Sequence, residues 1–227
     1  TKANVKSATA KSLTYNAKSQ TTTIVVNGKT LTLNKDFKVV SGSLKATKAG
    51  TYTVKIKGIG NYSGDTTVKY TVNAQQSYKA TAAAKTYNAK NQATKVTVKY
   101  GNTVLKRGTD YKITGVTRAK NAGKYKITVK GINNYKGTKT IYYTINKAAQ
   151  KSVKVKVNAS KKKITVSGVK AKAKVTYKSA NKKVKVKNGK ITVGKGVKKG
   201  TKVRITVKVA ATKNYKAYSK SIIYKVK

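Results

Sequence analysis

Apolar and polar residues alternate along this chain in short runs. Tyr52, Val54 and Ile56 alternate with Thr53, Lys55 and Lys57, and Tyr125, Ile127 and Val129 repeat the pattern. Val203, Ile205, Val207 and Val209 extend it. A period of two, carried by β-branched residues and Tyr, predicts strands with one buried face. Tyr52, Tyr125, Tyr70 and Tyr143 fall in that register and are predicted core, with Tyr142 on the face opposite Tyr143. Asn27-Gly28 and Asn188-Gly189 sit between such runs and predict two-residue hairpin turns. No segment sustains a 3.6-residue apolar period, so the fold class is all-β.

The runs belong to repeats. TYNAKSQTTTIVV (14–26) returns as TYNAKNQATKVTV (86–98), and AGTYTVKIKGIGNYSG (49–64) returns as AGKYKITVKGINNYKG (122–137). Tyr15 matches Tyr87, Asp36 matches Asp110, and Asn61-Tyr62 matches Asn134-Tyr135. The last stretch opens differently but closes on Asn214-Tyr215-Lys216-Ala217, an echo of the same motif. Three tandem modules are therefore expected, at 1–75, 76–149 and 150–227, the last divergent. The joints Asn73–Ser77 and Lys147–Gln150 lack Gly and Pro, which predicts modules stacked into a semi-rigid rod.

Charge changes the picture most. Lys and Arg number 54 against 3 Asp and no Glu, for a net charge of +51. It climbs along the chain: 12 basic and 2 acidic residues in 1–75, 16 and 1 in 76–149, and 26 and 0 in 150–227. Only Arg107, Arg118 and Arg204 are arginines. Lysine is a hydrated point charge rather than a bidentate fork, so the excess predicts diffuse attraction to polyanions, not a shaped anion pocket. A compact globule of this mass exposes roughly 10,000 Å². That area implies a mean spacing of about 14 Å between charges, against a Debye length of about 8 Å at physiological salt.

Candidate chemistry is sparse. Paired-carboxylate catalysis needs two acids in one site, and the only acids are Asp36, Asp65 and Asp110. His and Cys are absent, which removes the usual general base, disulfides and most metal ligands. Ser-x-x-Lys occurs at Ser160/Lys163, Ser167/Lys170 and Ser179/Lys182; with so many lysines, chance alone supplies about three such patterns. No catalytic residue, metal site or cofactor is expected, and the chain reads as a non-enzyme. Asp36 and Asp110 have two readings. They bond local backbone in a turn before a strand, or they assist a Lys–Asn isopeptide crosslink. The lysines Lys161, Lys162, Lys163, Lys182, Lys183, Lys198 and Lys199 fall in apparent turns and are the candidate diffuse anion contacts.

No apolar run is long enough to span a bilayer as a helix. Without an initiator Met or a leader pattern, a mature piece or fragment is expected. Without Pro, no LPxTG-type sorting signal lies within it, so any anchor is expected outside this stretch.

Leu-Lys-Arg-Gly-Thr-Asp-Tyr-Lys-Ile (105–113), followed by Asn-Ala-Gly-Lys-Tyr-Lys-Ile-Thr-Val-Lys-Gly-Ile-Asn-Asn-Tyr-Lys-Gly (121–137), resembles bacterial Ig-like tandem repeats of Gram-positive cell-surface proteins. The first module matches with Asp36-Phe37 and Ala49-Gly50-Thr51. The third resembles a lysine-rich variant built on 188–193 and 198–201. The resemblance implies small Ig-like β-sandwich modules serving as stalks or adhesins, secreted or on a bacterial surface. A β-grasp-like repeat is the alternative fold for the first two modules. The scarcity of acids departs from that family. The expected partners are anionic polymers (teichoic acid, acidic or sulfated glycans, mucin, extracellular nucleic acid) bound by a monomer. The alternatives are a passive spacer and a nucleic-acid-condensing or cell-penetrating supercharged protein.

Overall fold

The computed structural model describes residues 1–227. They form two compact units: 1–82 with 95–115 and 126–142, and 83–94 with 116–125 and 143–227. Both are β throughout, and the only helical segments are two three-residue 3-10 turns, Val5–Ser7 and Lys170–Lys172. The β-grasp alternative, in which a helix packs across the sheet, does not describe the chain.

In the first unit one sheet takes the order Leu13–Thr14, Asp65–Asn73, Gly50–Gly58, Phe37–Gly42. A second sheet takes the order Thr9–Ala10, Ile24–Val26, Lys29–Thr30. Ile24 and Val26 from the small sheet share one core with Val54, Ile56, Val68, Tyr70 and Val72 from the large one. Alternation makes this possible, because inward residues of both sheets meet while Lys55, Lys57 and Lys69 stay outside. Within the second unit, Lys154–Asn158, Lys163–Ser167, Lys190–Val193 and Val184–Lys187 form one sheet. Val175–Ser179, Lys202–Val209 and Tyr218–Lys225 form another. Val155, Ile164, Val184 and Ile191 pack there against Val203, Ile205, Val207 and Tyr224.

Both Asn-Gly turns form as predicted. Asn27 and Gly28 have φ of 48° and 78°, and Val26 pairs with Lys29 across them. Asn188 and Gly189 have φ of 49° and 80°, and Lys187 pairs with Lys190. Two positive-φ residues in a row match the twist of the flanking strands.

The predicted core tyrosines divide. Tyr70 and Tyr143 are buried, whereas Tyr52 and Tyr125 are half-buried and stack on them at 5.2 Å. The reason is polar: the Tyr52 hydroxyl donates to the Lys48 carbonyl at 2.8 Å, and the Tyr125 hydroxyl to that of Asn121 at 2.7 Å. The two buried hydroxyls also differ. Tyr70 donates to the Ser43 carbonyl at 3.1 Å, while the Tyr143 hydroxyl is buried without a partner. Tyr70→Phe should therefore cost about 1 kcal/mol and Tyr143→Phe nothing, or slightly stabilise. Urea unfolding of the two variants checks the difference.

The joints are not plain connectors. Gln75 pairs in parallel with Tyr135, and Ala148 pairs in parallel with Tyr215. Gln75 N–H donates to the Asn134 carbonyl at 2.8 Å, and Lys136 N–H donates back to the Gln75 carbonyl at 2.9 Å. Ala148, Asn214 and Lys216 repeat this at 2.9 and 2.8 Å. Each joint is thereby tied by a single parallel bridge to the Asn-Tyr turn that follows it. Sequence spacing could not show this pairing, because it joins residues about 60 apart.

Candidate functional site

All seven lysines singled out as anion contacts are exposed. Lys161, Lys162, Lys182, Lys183 and Lys199 lie in turns and Lys198 in an unclassified segment. Lys163 instead opens the Lys163–Ser167 strand, so it belongs to a sheet face.

That strand position matters, because it places Lys163 in a row. Lys163 lies opposite Lys190, and Lys190 lies opposite Lys187 on the next strand. Directly opposed residues share a face, and neighbouring strands are about 4.8 Å apart, so three exposed ammonium stems stand side by side. Like charges placed directly opposite destabilise a sheet. Residues 150–227 contain no side-chain carboxylate to relieve them. Lys187 also lines, with Lys178, Lys182, Lys185 and Tyr177, an open groove of about 540 Å³. Burial pushes the Tyr177 phenol above the ordinary tyrosine range, so it stays neutral beside these cations.

Lys187 and Lys190 were not among the lysines predicted. Their mutual pairing was legible, since a two-residue turn at Asn188-Gly189 must place its flanking residues opposite each other. The arrival of Lys163 beside Lys190 is a non-local contact with no sequence signal.

The three carboxylates are occupied elsewhere. Asp36 accepts the Thr32 N–H at 2.8 Å, and Asp110 accepts that of Lys106 at 2.7 Å. Each matches the local turn reading of these acids. Their backbone carbonyls hold the following Asn-Tyr turn, accepting from Ile59 and Ile132 N–H, each at 2.9 Å. Asp65 lies 3.5 Å from Lys55, both well exposed, and such a pair contributes at most about 1 kcal/mol.

The chain exposes 14593 Å², more than the roughly 10,000 Å² of a compact globule of its mass. Each net charge thus has about 290 Å², and the mean spacing rises from about 14 to about 17 Å. No group of three or more His, Cys, Asp or Glu side chains is brought together. No helix is long and apolar enough to cross a membrane.

Aromatic density lies elsewhere. Tyr135 meets Tyr15, Tyr100 and Tyr78 at ring-centroid distances of 5.5, 5.9 and 6.3 Å. Burial, with the neighbouring Tyr15 and Asp110 adding to it, raises the Tyr135 phenol well above its ordinary value of 10. A group raised in the folded state contributes stability that is fully present below its unfolded value and lost as pH rises through the folded one. Stability from this cluster should thus be intact below pH 10 and decline above it. Tyr135→Phe should flatten that decline, which alkaline melting curves check.

No family model and no curated protein matches the sequence. Among solved structures, Drosophila N-cadherin EC1-4 aligns with 96% of this chain and 73% of its own, at 11% identity and a TM-score of 0.27. Sidekick-1 immunoglobulin domains 1-5 align with 98% of this chain and 58% of theirs, at 12% identity and a TM-score of 0.26. The human desmocollin-1 ectodomain aligns with 96% and 60%, at 9% identity and a TM-score of 0.25. The chain thus spans about three-fifths of the latter two. What stands on the molecule itself is a pair of all-β units, the second bearing a carboxylate-free lysine row on one sheet.

Proposed function

We propose that this chain is a non-catalytic, positively charged module set of a cell-surface or secreted bacterial protein, which holds anionic polymers by diffuse electrostatics. Its domains are read as three repeats, 1–75, 76–149 and 150–227. The ligands are teichoic acid, acidic or sulfated glycans, mucin or extracellular nucleic acid. The observation that carries the reading is the row Lys163–Lys190–Lys187, stacked across three strands in a stretch with no carboxylate. A passing polymer that brings one anion per few ångströms relieves like-charge repulsion built into the sheet. Its release of counterions supplies the free energy, so affinity should fall steeply with salt.

Retention of the whole chain on heparin, DNA and teichoic acid across a salt series tests this. Retention above about 150 mM salt by all three, at similar strength, fits charge-governed binding. Elution from every polymer below that concentration makes the chain a passive spacer instead.

A further inference from the structure

The contact made by the Asn-Tyr turn occurs twice in this chain and is left open once. Asn134 Oδ1 accepts the Ala49 N–H at 2.8 Å, 85 residues away. Asn214 Oδ1 accepts the Ala122 N–H at 2.8 Å, 92 residues away. Ala49 and Ala122 are equivalent residues of the Ala-Gly segment that opens the long strand of the first two repeats. Beside each bond a tyrosine of the turn meets the tyrosine of a Thr-Tyr-Asn segment edge-on: Tyr135 with Tyr15 at 5.5 Å, and Tyr215 with Tyr87 at 5.3 Å. The turn of one repeat thus grips two fixed points of the repeat before it.

Both halves of the grip are preformed. On the donor side, the Tyr52 and Tyr125 hydroxyls pin the carbonyls of Lys48 and Asn121, immediately before Ala49 and Ala122. On the acceptor side, the turn of the first repeat is a copy of that of the second. Gly60 and Asn133 take left-handed φ of 62° and 54°. Tyr62 N–H donates to the Ile59 carbonyl and Tyr135 N–H to that of Ile132, both at 3.0 Å. Ala3 N–H donates to the Asn61 carbonyl at 3.1 Å, as Gln75 does to that of Asn134. Yet Asn61 is exposed, whereas Asn134 and Asn214 are half-buried.

We propose that the exposed Asn61 side chain of this turn is a docking point for the Ala-Gly segment of one more repeat of this kind, joined ahead of Thr1; Tyr62 is already buried in the first core, so the open half of the grip is the asparagine. A second copy of this chain fits poorly as the occupant. Its Ala49 and Ala122 donors are already engaged. Residues 150–227 set Val203 opposite the buried Tyr224 where the first repeat sets Tyr52 opposite the buried Tyr70, and they contain no Thr-Tyr-Asn segment.

The test uses hydrogen exchange on the whole chain and on a chain with residues 1–72 duplicated ahead of Thr1. In the native chain, Asn134→Ala should speed exchange at the Ala49 amide, and Asn214→Ala at the Ala122 amide, each about fivefold, the equivalent of one hydrogen bond. In the extended chain, the Ala49 amide of the added repeat should be protected to the same degree as the native one, and Asn61→Ala should remove about fivefold of that. Exchange at that amide unchanged by Asn61→Ala overturns the proposal. An added repeat that stays unprotected throughout also overturns it, because the same residues fold at the start of the native chain. So does self-association of the unextended chain that Asn61→Ala abolishes, since the occupant is then a second copy.

Discussion

Replacing Lys163, Lys187 and Lys190 together by glutamine should weaken polyanion binding far more than removing three lysines from separate turns. If each lysine of the row neutralises one anionic group, the three contribute about 2.7 to the slope of log affinity against log salt for a duplex-like polymer. At 150 mM salt that corresponds to a loss on the order of 100-fold. A matched variant at Lys161, Lys182 and Lys199 carries the same net charge, but those residues lie in turns. Its loss should be several-fold smaller if the row acts as a unit. Glutamine keeps much of the stem, so packing of the lysine chains on the sheet is largely retained. The row variant should also be the more stable of the two, since it removes directly opposed like charges. Heparin and DNA titrations at three salt concentrations read the slope. Equal losses for the two triple variants would reduce the row to three ordinary charges.

The alternation of Tyr52, Val54 and Ile56 with Thr53, Lys55 and Lys57 was enough to define a strand and its buried face, because side-chain direction has a fixed period of two. Asn27-Gly28 and Asn188-Gly189 were enough to define hairpins, because few residues accept two consecutive left-handed conformations. Legibility failed wherever the partner was distant. Nothing local ties Lys163 to Lys190, Gln75 to Tyr135 or Asn134 to Ala49. Tyr52 looked like core by register and proved half-buried, because its hydroxyl seeks a carbonyl at the strand entrance. Asp36 and Asp110 were readable as turn acids from their own neighbourhoods. That their backbones also hold the Asn-Tyr turn required the fold. The candidate interface was legible as a quantity of charge and as the Lys187–Lys190 pair, and illegible as a row reaching Lys163.

The stability of the second unit should depend on salt, and a core truncation should expose that dependence. Ile205 is fully buried, centred in the Lys202–Val209 strand among Val203, Val207 and Tyr224. Ile205→Ala should cost about 2–5 kcal/mol, the range for a buried branched side chain cut to a methyl. Several neighbours are valines, short and stiff at χ1, so the cavity cannot collapse far and the upper half of that range is expected. The remaining margin is set by repulsion. Two unit charges at a spacing of about 17 Å repel by roughly 0.24 kcal/mol in unscreened water. Screening cuts this to about a tenth at 150 mM salt but only to about half at 10 mM. Summed over 26 cations without one side-chain carboxylate in residues 150–227, the difference reaches several kcal/mol, comparable to the whole stability of a small domain. Ile205→Ala should therefore remain folded at 300 mM NaCl and be largely unfolded in this unit at 10 mM, while the unsubstituted chain melts at a temperature that rises with salt. Circular dichroism melts across the series measure both. A melting temperature that stays flat or falls between 10 and 300 mM would mean that charge spacing does not limit stability.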